Sequence, residues 1–204
     1  MNIMGGVKIM MEFRNIDKPG ILIVPNQEFN SYEESEKLIR YITRTRKKEN
    51  RQGDVAVIGG RGVRLSSGIS TAINEFKQIQ GMYEPRRKRQ YGRHCYHEIY
   101  SLNDEFSKRL GSGDLDGLAY RLSQSYWESG HQVIYAIHLP DEDAGHLHIH
   151  FAVNAIRLSD GHKWHTSNWN RKMREDRFDD ITRMFAFINK IGKRTYSNSS
   201  FPIS

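Results

Sequence analysis

The sequence predicts an α+β fold in which helices pack on one face of a central antiparallel sheet. Three observations carry this. "HQVIYAIHL" (131–139) and "HLHIHFAVNAIRL" (146–158) are rich in β-branched and aromatic residues, and in the second Leu147, Ile149, Phe151 and Val153 recur at the two-residue period of a strand. The connection "LPDEDAG" (139–145) is short enough to join neighbouring antiparallel strands. Segments with helical spacing of apolar residues alternate with the strands, and one sheet layered with helices buries both kinds of element.

In chain order, residues 1–19 carry little pattern and read as a leader or a first strand. "GILIVP" (20–25), bounded by Pro19 and Pro25, reads as a strand. "SYEESEKLIRYITRTRKK" opens with Ser31 and has Glu34 three residues on, the pattern of a capping box. Leu38, Ile39 and Ile42 form its apolar stripe, with Tyr41 at the edge. "DVAVIGGRG" (54–62) reads as a strand or a buried loop ending in a turn, and a second helix starts near Ser67. "EPRRKRQYGRH" (84–94) is a basic linker, and "HCYHEIYSL" (94–102) is a strand. A third helix carries Leu115, Leu118, Leu122 and Trp127 and ends at Gly130. "SDG" (159–161) is a turn, and a long helix from about Asn168 turns from basic to apolar along its length. Residues 1–204 are expected to form a single domain with a divergent tail at 186–204.

The 204 residues carry 31 Lys and Arg against 24 Asp and Glu, a net charge of +7 that favours an anionic partner, nucleic acid first. The one cysteine, Cys95, excludes an internal disulfide and a Cys-rich zinc knuckle and fits a reducing compartment. No apolar run approaches the roughly 20 residues of a membrane span, and "MNIMGGVKIMMEF" lacks the features of a signal peptide. A soluble, cytoplasmic protein without membrane insertion is expected.

Alternation places His146, His148, His150, Ala152 and Asn154 on one face of their strand, and Leu147, Ile149, Phe151 and Val153 on the other. The second set is a core face. Pairing with the preceding strand would bring His138 beside the histidine row, and imidazoles held by rigid strands suit a divalent cation with open positions. An exposed polar face and a structural zinc site are the other readings of the row. "GGRG" (59–62) lacks the sequence of a phosphate loop and reads as a turn.

"HLPDEDAGHLHIHFAVNAI" resembles the third motif of conjugative and mobilisation relaxases of the MobP type, in the HUH endonuclease superfamily. There a histidine, a short acidic loop and HxHxxxN follow in order, here His138, residues 141–143, His148, His150 and Asn154. "KLIRYITR" (37–44) resembles the first motif, which carries the nucleophilic tyrosine, and "YHEIYSL" (96–102) resembles the second, with Ser101 as its serine. "DGHKWH" and "KMRE" resemble the hairpin and basic helix that follow, so the likeness spans about residues 31–180.

The resemblance implies the HUH relaxase fold and a metal-dependent, site- and strand-specific transesterification of single-stranded DNA. The strand would be nicked at an origin of transfer beside a hairpin, with accessory mobilisation proteins as further partners. Tyr41 would attack the phosphate, a 3′-hydroxyl would leave, and a 5′-phosphotyrosine would link protein to DNA until the reverse step reseals it. It implies His138, His148 and His150 as ligands of Mn²⁺ or Mg²⁺, or of Zn²⁺, Ni²⁺ or Co²⁺. His146 and Asn154 become neighbours or hydrogen-bond partners of the ligands. Asp141 is the first choice for the assisting acid, Asp143 the second and Glu98 the third. Tyr32, Tyr96 and Tyr100 are the fallback nucleophiles. Two basic runs are candidate DNA-backbone contacts or solvated linkers: Arg44, Arg46, Lys47 and Lys48, and Arg86, Arg87, Lys88 and Arg89. Trp164 and Trp169 are candidates for stacking on unpaired bases or for core packing. A rolling-circle replication initiator or single-strand transposase would share the histidine strand but tends to carry its tyrosine after it, where the last helix offers only Tyr196. A non-catalytic DNA-binding mobilisation accessory protein is the remaining alternative.

Overall fold

The computed structural model describes residues 18–44, 55–83, 92–110, 112–139, 146–164 and 166–197. The elements in order are β1 (Gly20–Ile23), α1 (Tyr32–Ile42), β2 (Val55–Arg61), a short 3₁₀ turn (Leu65–Ser67), α2 (Ile69–Tyr83), β3 (Cys95–Leu102), α3 (Asp104–Arg109), α4 (Ser112–Glu128), β4 (His131–His138), β5 (His148–Arg157) and α5 (Asn168–Ser197). The strands form one five-stranded sheet in the order β1-β3-β5-β4-β2, with every neighbouring pair antiparallel.

Local chemistry sets the element ends. The Ser31 hydroxyl accepts from the Glu34 amide at 3.2 Å, and the Glu34 carboxylate accepts from the Asn30 amide at 2.6 Å. The capping box therefore closes one residue further out than its usual form. Gly130 ends α4 region chain travel with φ +83, a left-handed turn into β4 that favours glycine. The "GGRG" run is strand through Arg61 rather than a turn. A Cβ on Gly59 would run into the Tyr135 ring of the neighbouring strand, so the glycine admits close packing there.

Helices cover both faces of the sheet, not one. β4 is buried at every residue, and β5 at every residue but its two ends. Tyr100, Val133, Tyr135, Ile137, Ile149, Phe151 and Val153 point to one side, into a core with Leu118, Leu122 and Tyr126 of α4 and Phe178 of α5. Cys95, Ile134, Ala136 and Ala152 point to the other, beneath Leu38, Ile39 and Ile42 of α1 and Ala72, Ile73 and Phe76 of α2. The expectation of one covered face fails because small residues at 136 and 152 let α1 and α2 settle beside the histidines.

The α4/α5 face holds a buried ion pair. Glu98 of β3 is fully buried and takes a bidentate bond from Arg174 of α5, with Nε···Oε2 at 3.0 Å, and a hydrogen bond from the Tyr126 hydroxyl at 2.8 Å. Removing one partner strands the other charge in a low-dielectric interior. Glu98→Ala is expected to destabilise the fold by about 3–5 kcal/mol, read from guanidinium unfolding; a change under about 1 kcal/mol would show that water reaches Arg174.

Candidate active site

Strand register assembles the site in rows across the sheet. Ile21 of β1 stands opposite Ser101 of β3, Ser101 opposite His148 of β5, and His148 opposite His138 of β4. In the next row Ile23, Ile99, His150 and Ala136 stand side by side. His97 and Ala152 follow in the third. All lie on the face that α1 and α2 cover in part. Towards β1 that face is open, and Ile21 and Ile23 are exposed.

Four imidazoles gather here. The ring of His150 lies 4.2 Å from that of His138, 5.3 Å from His97 and 6.1 Å from His148, centroid to centroid. His138 and His150 are buried, and His148 is partly buried. Burial disfavours the imidazolium first and the neighbouring rings add to it, so the His150 pKa is lowered to about 2 and that of His97 to about 4; His148 is lowered for the same two reasons. Neutral imidazoles are the form that ligates a metal or accepts a proton.

Tyr41 of α1 is about half exposed, and its ring stands edge-on 6.5 Å from the His150 ring. Helix α1 is tied to the cluster at this end. The His138 Nε2 lies 2.8 Å from the Ile42 carbonyl, one of the last carbonyls of the helix, which have no partner within it. The Arg44 guanidinium sits 4.5 Å above the Tyr41 ring centroid, a cation–π contact at the mouth of the site.

The other expected residues fall as follows. His146 precedes β5 rather than belonging to it; it is exposed and its Nδ1 is 2.9 Å from Asp104 Oδ1. Asn154 is fully buried, but its amide bonds Gln132 Oε1 (2.8 Å) and the Phe76 carbonyl (3.2 Å) and accepts from Gln80 (3.2 Å). Its side chain braces α2 against the sheet, and its backbone carbonyl lies 2.9 Å from His131 Nδ1, away from the His138, His148 and His150 cluster. Glu98 faces away, committed to Arg174. Tyr100 and Tyr96 also face away, their hydroxyls donating to Asp179 (2.6 Å) and the Trp164 carbonyl (3.2 Å), and Tyr32 lies edge-on to His94. Trp164 packs against the core while Trp169 is exposed. Asp141, Asp143, Arg46, Lys47, Lys48, Arg86, Arg87, Lys88 and Arg89 lie outside the described residues. His97 is the residue that sequence reasoning missed. Its signal was the Cys95, His97, Ile99, Ser101 face of the "HCYHEIYSL" strand, which meets the histidine row only once β3 pairs with β5.

Among the described residues no three His, Cys, Asp or Glu side chains are placed to hold a metal ion together. The donor chemistry nevertheless fits one. His138, His148 and His150 are adjacent and offer imidazole nitrogens, borderline donors that suit divalent transition metals, and two of them make a hydrogen bond through one ring nitrogen.

The lowered histidine values fix a pH dependence. An unfolded histidine titrates near 6.5. Below that the unfolded chain takes up protons that His97 and His150 refuse in the folded state, so stability is level above about pH 7 and falls as the pH drops towards 4. With chelator present, the thermal midpoint is expected to fall between pH 7 and 5, and to fall less in His150→Gln. A midpoint that is level across this range would contradict the burial of neutral rings.

The relaxase family model, described as MobA/VirD2-like, nuclease domain, matches residues 41–186, most of the chain and a span that includes Tyr41, His97, His138, His148 and His150. A search of curated proteins gave no match. Among the described residues no helix is long and apolar enough to cross a membrane. An antiparallel sheet with a histidine-rich face, a tyrosine helix docked on it and this match agree: the chain belongs to the relaxase family and carries its DNA-nicking nuclease domain.

Proposed function

We propose that this chain nicks and rejoins one DNA strand at an origin of transfer through a 5′-phosphotyrosine on Tyr41, in the cytoplasm, during transfer of a plasmid or integrative element. The observation that carries the proposal is the half-exposed Tyr41 ring beside His150. The other tyrosines named above are turned to the far face or, for Tyr32, engaged with His94.

In this reading Tyr41 Oη forms a bond to phosphorus as the bond to the 3′-oxygen breaks. One phosphodiester replaces another, so no external energy source is needed. The phenol proton passes to a base, for which Asp141 is the proposed carboxylate. Arg44 stabilises negative charge as it develops at the phenol and the phosphate. His138, His148 and His150 would hold the divalent ion, Mn²⁺ or Mg²⁺ by availability, which supplies Lewis-acid stabilisation of the scissile phosphate when bound. His146 sits beside the ligands as a neighbour, and Arg46, Lys47, Lys48 and Arg86–Arg89 extend the contact to the DNA backbone. The open face towards Ile21 and Ile23 offers the unpaired strand a path to Tyr41.

The test is incubation with single-stranded oligonucleotides that tile candidate origins, with Mn²⁺ or Mg²⁺. A covalent adduct is expected that is lost in Tyr41→Phe and on chelation, and that falls by at least about a hundredfold in His150→Ala. An adduct that survives in Tyr41→Phe moves the nucleophile elsewhere. Tight DNA binding with no adduct on any strand would make the chain an accessory protein instead.

A further inference from the structure

His97 stands in the row after His150, opposite Ala152. Because Ala152 presents only a methyl group, the diagonal space between β3 and β5 is free for the two imidazoles to meet. They lie nearly parallel, 18° apart with centroids at 5.3 Å, and His97 Nε2 is 3.0 Å from His150 Nδ1. Phe29 closes the neighbourhood of His97 with an edge contact at 6.3 Å, and His97 itself is 9% exposed. The contact is therefore sheltered from solvent and fixes which nitrogen of each ring meets the other.

A hydrogen bond between two neutral imidazoles holds one proton, and which ring carries it decides what His150 can do. If His97 donates, His150 is protonated at Nε2 and can neither bind a cation nor accept a proton through that nitrogen. If His150 donates from Nδ1, its Nε2 keeps a lone pair within a cluster whose other rings are His138, His148 and Tyr41.

We infer that His97 is a positioning residue: it accepts the Nδ1–H of His150 and holds that ring in the tautomer whose Nε2 is bare. This rests on the reading that His150 serves the nicking chemistry. It gives His97 a role in orienting and polarising a ligand, of the kind that carboxylates and carbonyls play behind metal-bound histidines.

The tautomer is read without metal, by long-range ¹H–¹⁵N correlation on the full chain at neutral pH with the His150 signals assigned through His150→Gln. The wild type is expected to show the Nδ1-protonated form. His97→Gln, which keeps an acceptor, is expected to retain it, and His97→Phe to show a mixture. In titration calorimetry with Mn²⁺, His97→Phe is expected to bind about 10–100-fold more weakly, with His97→Gln intermediate. A wild-type His150 protonated at Nε2 would overturn the inference. So would a His97→Phe protein with unchanged tautomer and affinity. Should His97→Phe fail to unfold cooperatively, the wild-type and His97→Gln tautomers decide. A wild type that binds no Mn²⁺ would remove the metal from the proposed function, while the tautomer would still decide the role of His97.

Discussion

Strand β5 is buried on both faces, and its two-residue side-chain period governs everything around it. A slip of one residue would send Leu147, Ile149, Phe151 and Val153 to the histidine side and the histidines into the α4/α5 core. The core on each side therefore enforces the register. That register sets His148 between Ser101 and His138, and His150 between Ile99 and Ala136. The apolar half of "HLHIHFAVN" thus positions the polar half, because large side chains on one face leave a single register in which the imidazoles can meet their neighbours.

The second constraint is the docking of α1. Its apolar stripe, Leu38, Ile39 and Ile42, packs on the sheet beside Ala136 and Ala152, and its C-terminal carbonyl at Ile42 meets His138. Tyr41 then has no room in the core and stands at the edge of the stripe, beside the cluster. A packing helix and a presenting helix are the same helix here. Asn154 contributes at a distance by bonding Gln80 and the Phe76 carbonyl, which fixes α2 against the sheet and so supports the layer in which α1 lies.

Local signals explain why the strands, the main helices, the Ser31 cap and the core face of β5 were legible in the sequence. Each is written within a few residues: alternation, 3.6-residue periodicity, a capping pair. The histidine row and its meeting with His138 were legible because a short loop joins the two strands. His97 was not, because β3 reaches β5 only through pairing across about fifty residues. The burial of Glu98 was also hidden, since its partner Arg174 lies on the last long helix. Covering of both sheet faces was not legible from a strand whose polar face looked open. Ala136 and Ala152 make that covering possible, and alanine carries no mark that distinguishes a close helix contact from an open surface.

Tyr41 is the group that the sheet and α1 bring to the histidines. The most direct measurement is mass spectrometry of the trypsin-digested protein–DNA adduct. Cleavage after Arg40 and Arg44 releases Tyr41-Ile42-Thr43-Arg44. A 5′-phosphonucleotide remnant is expected on that peptide. A remnant on a peptide carrying Tyr32, Tyr96 or Tyr100 would contradict the role proposed for Tyr41.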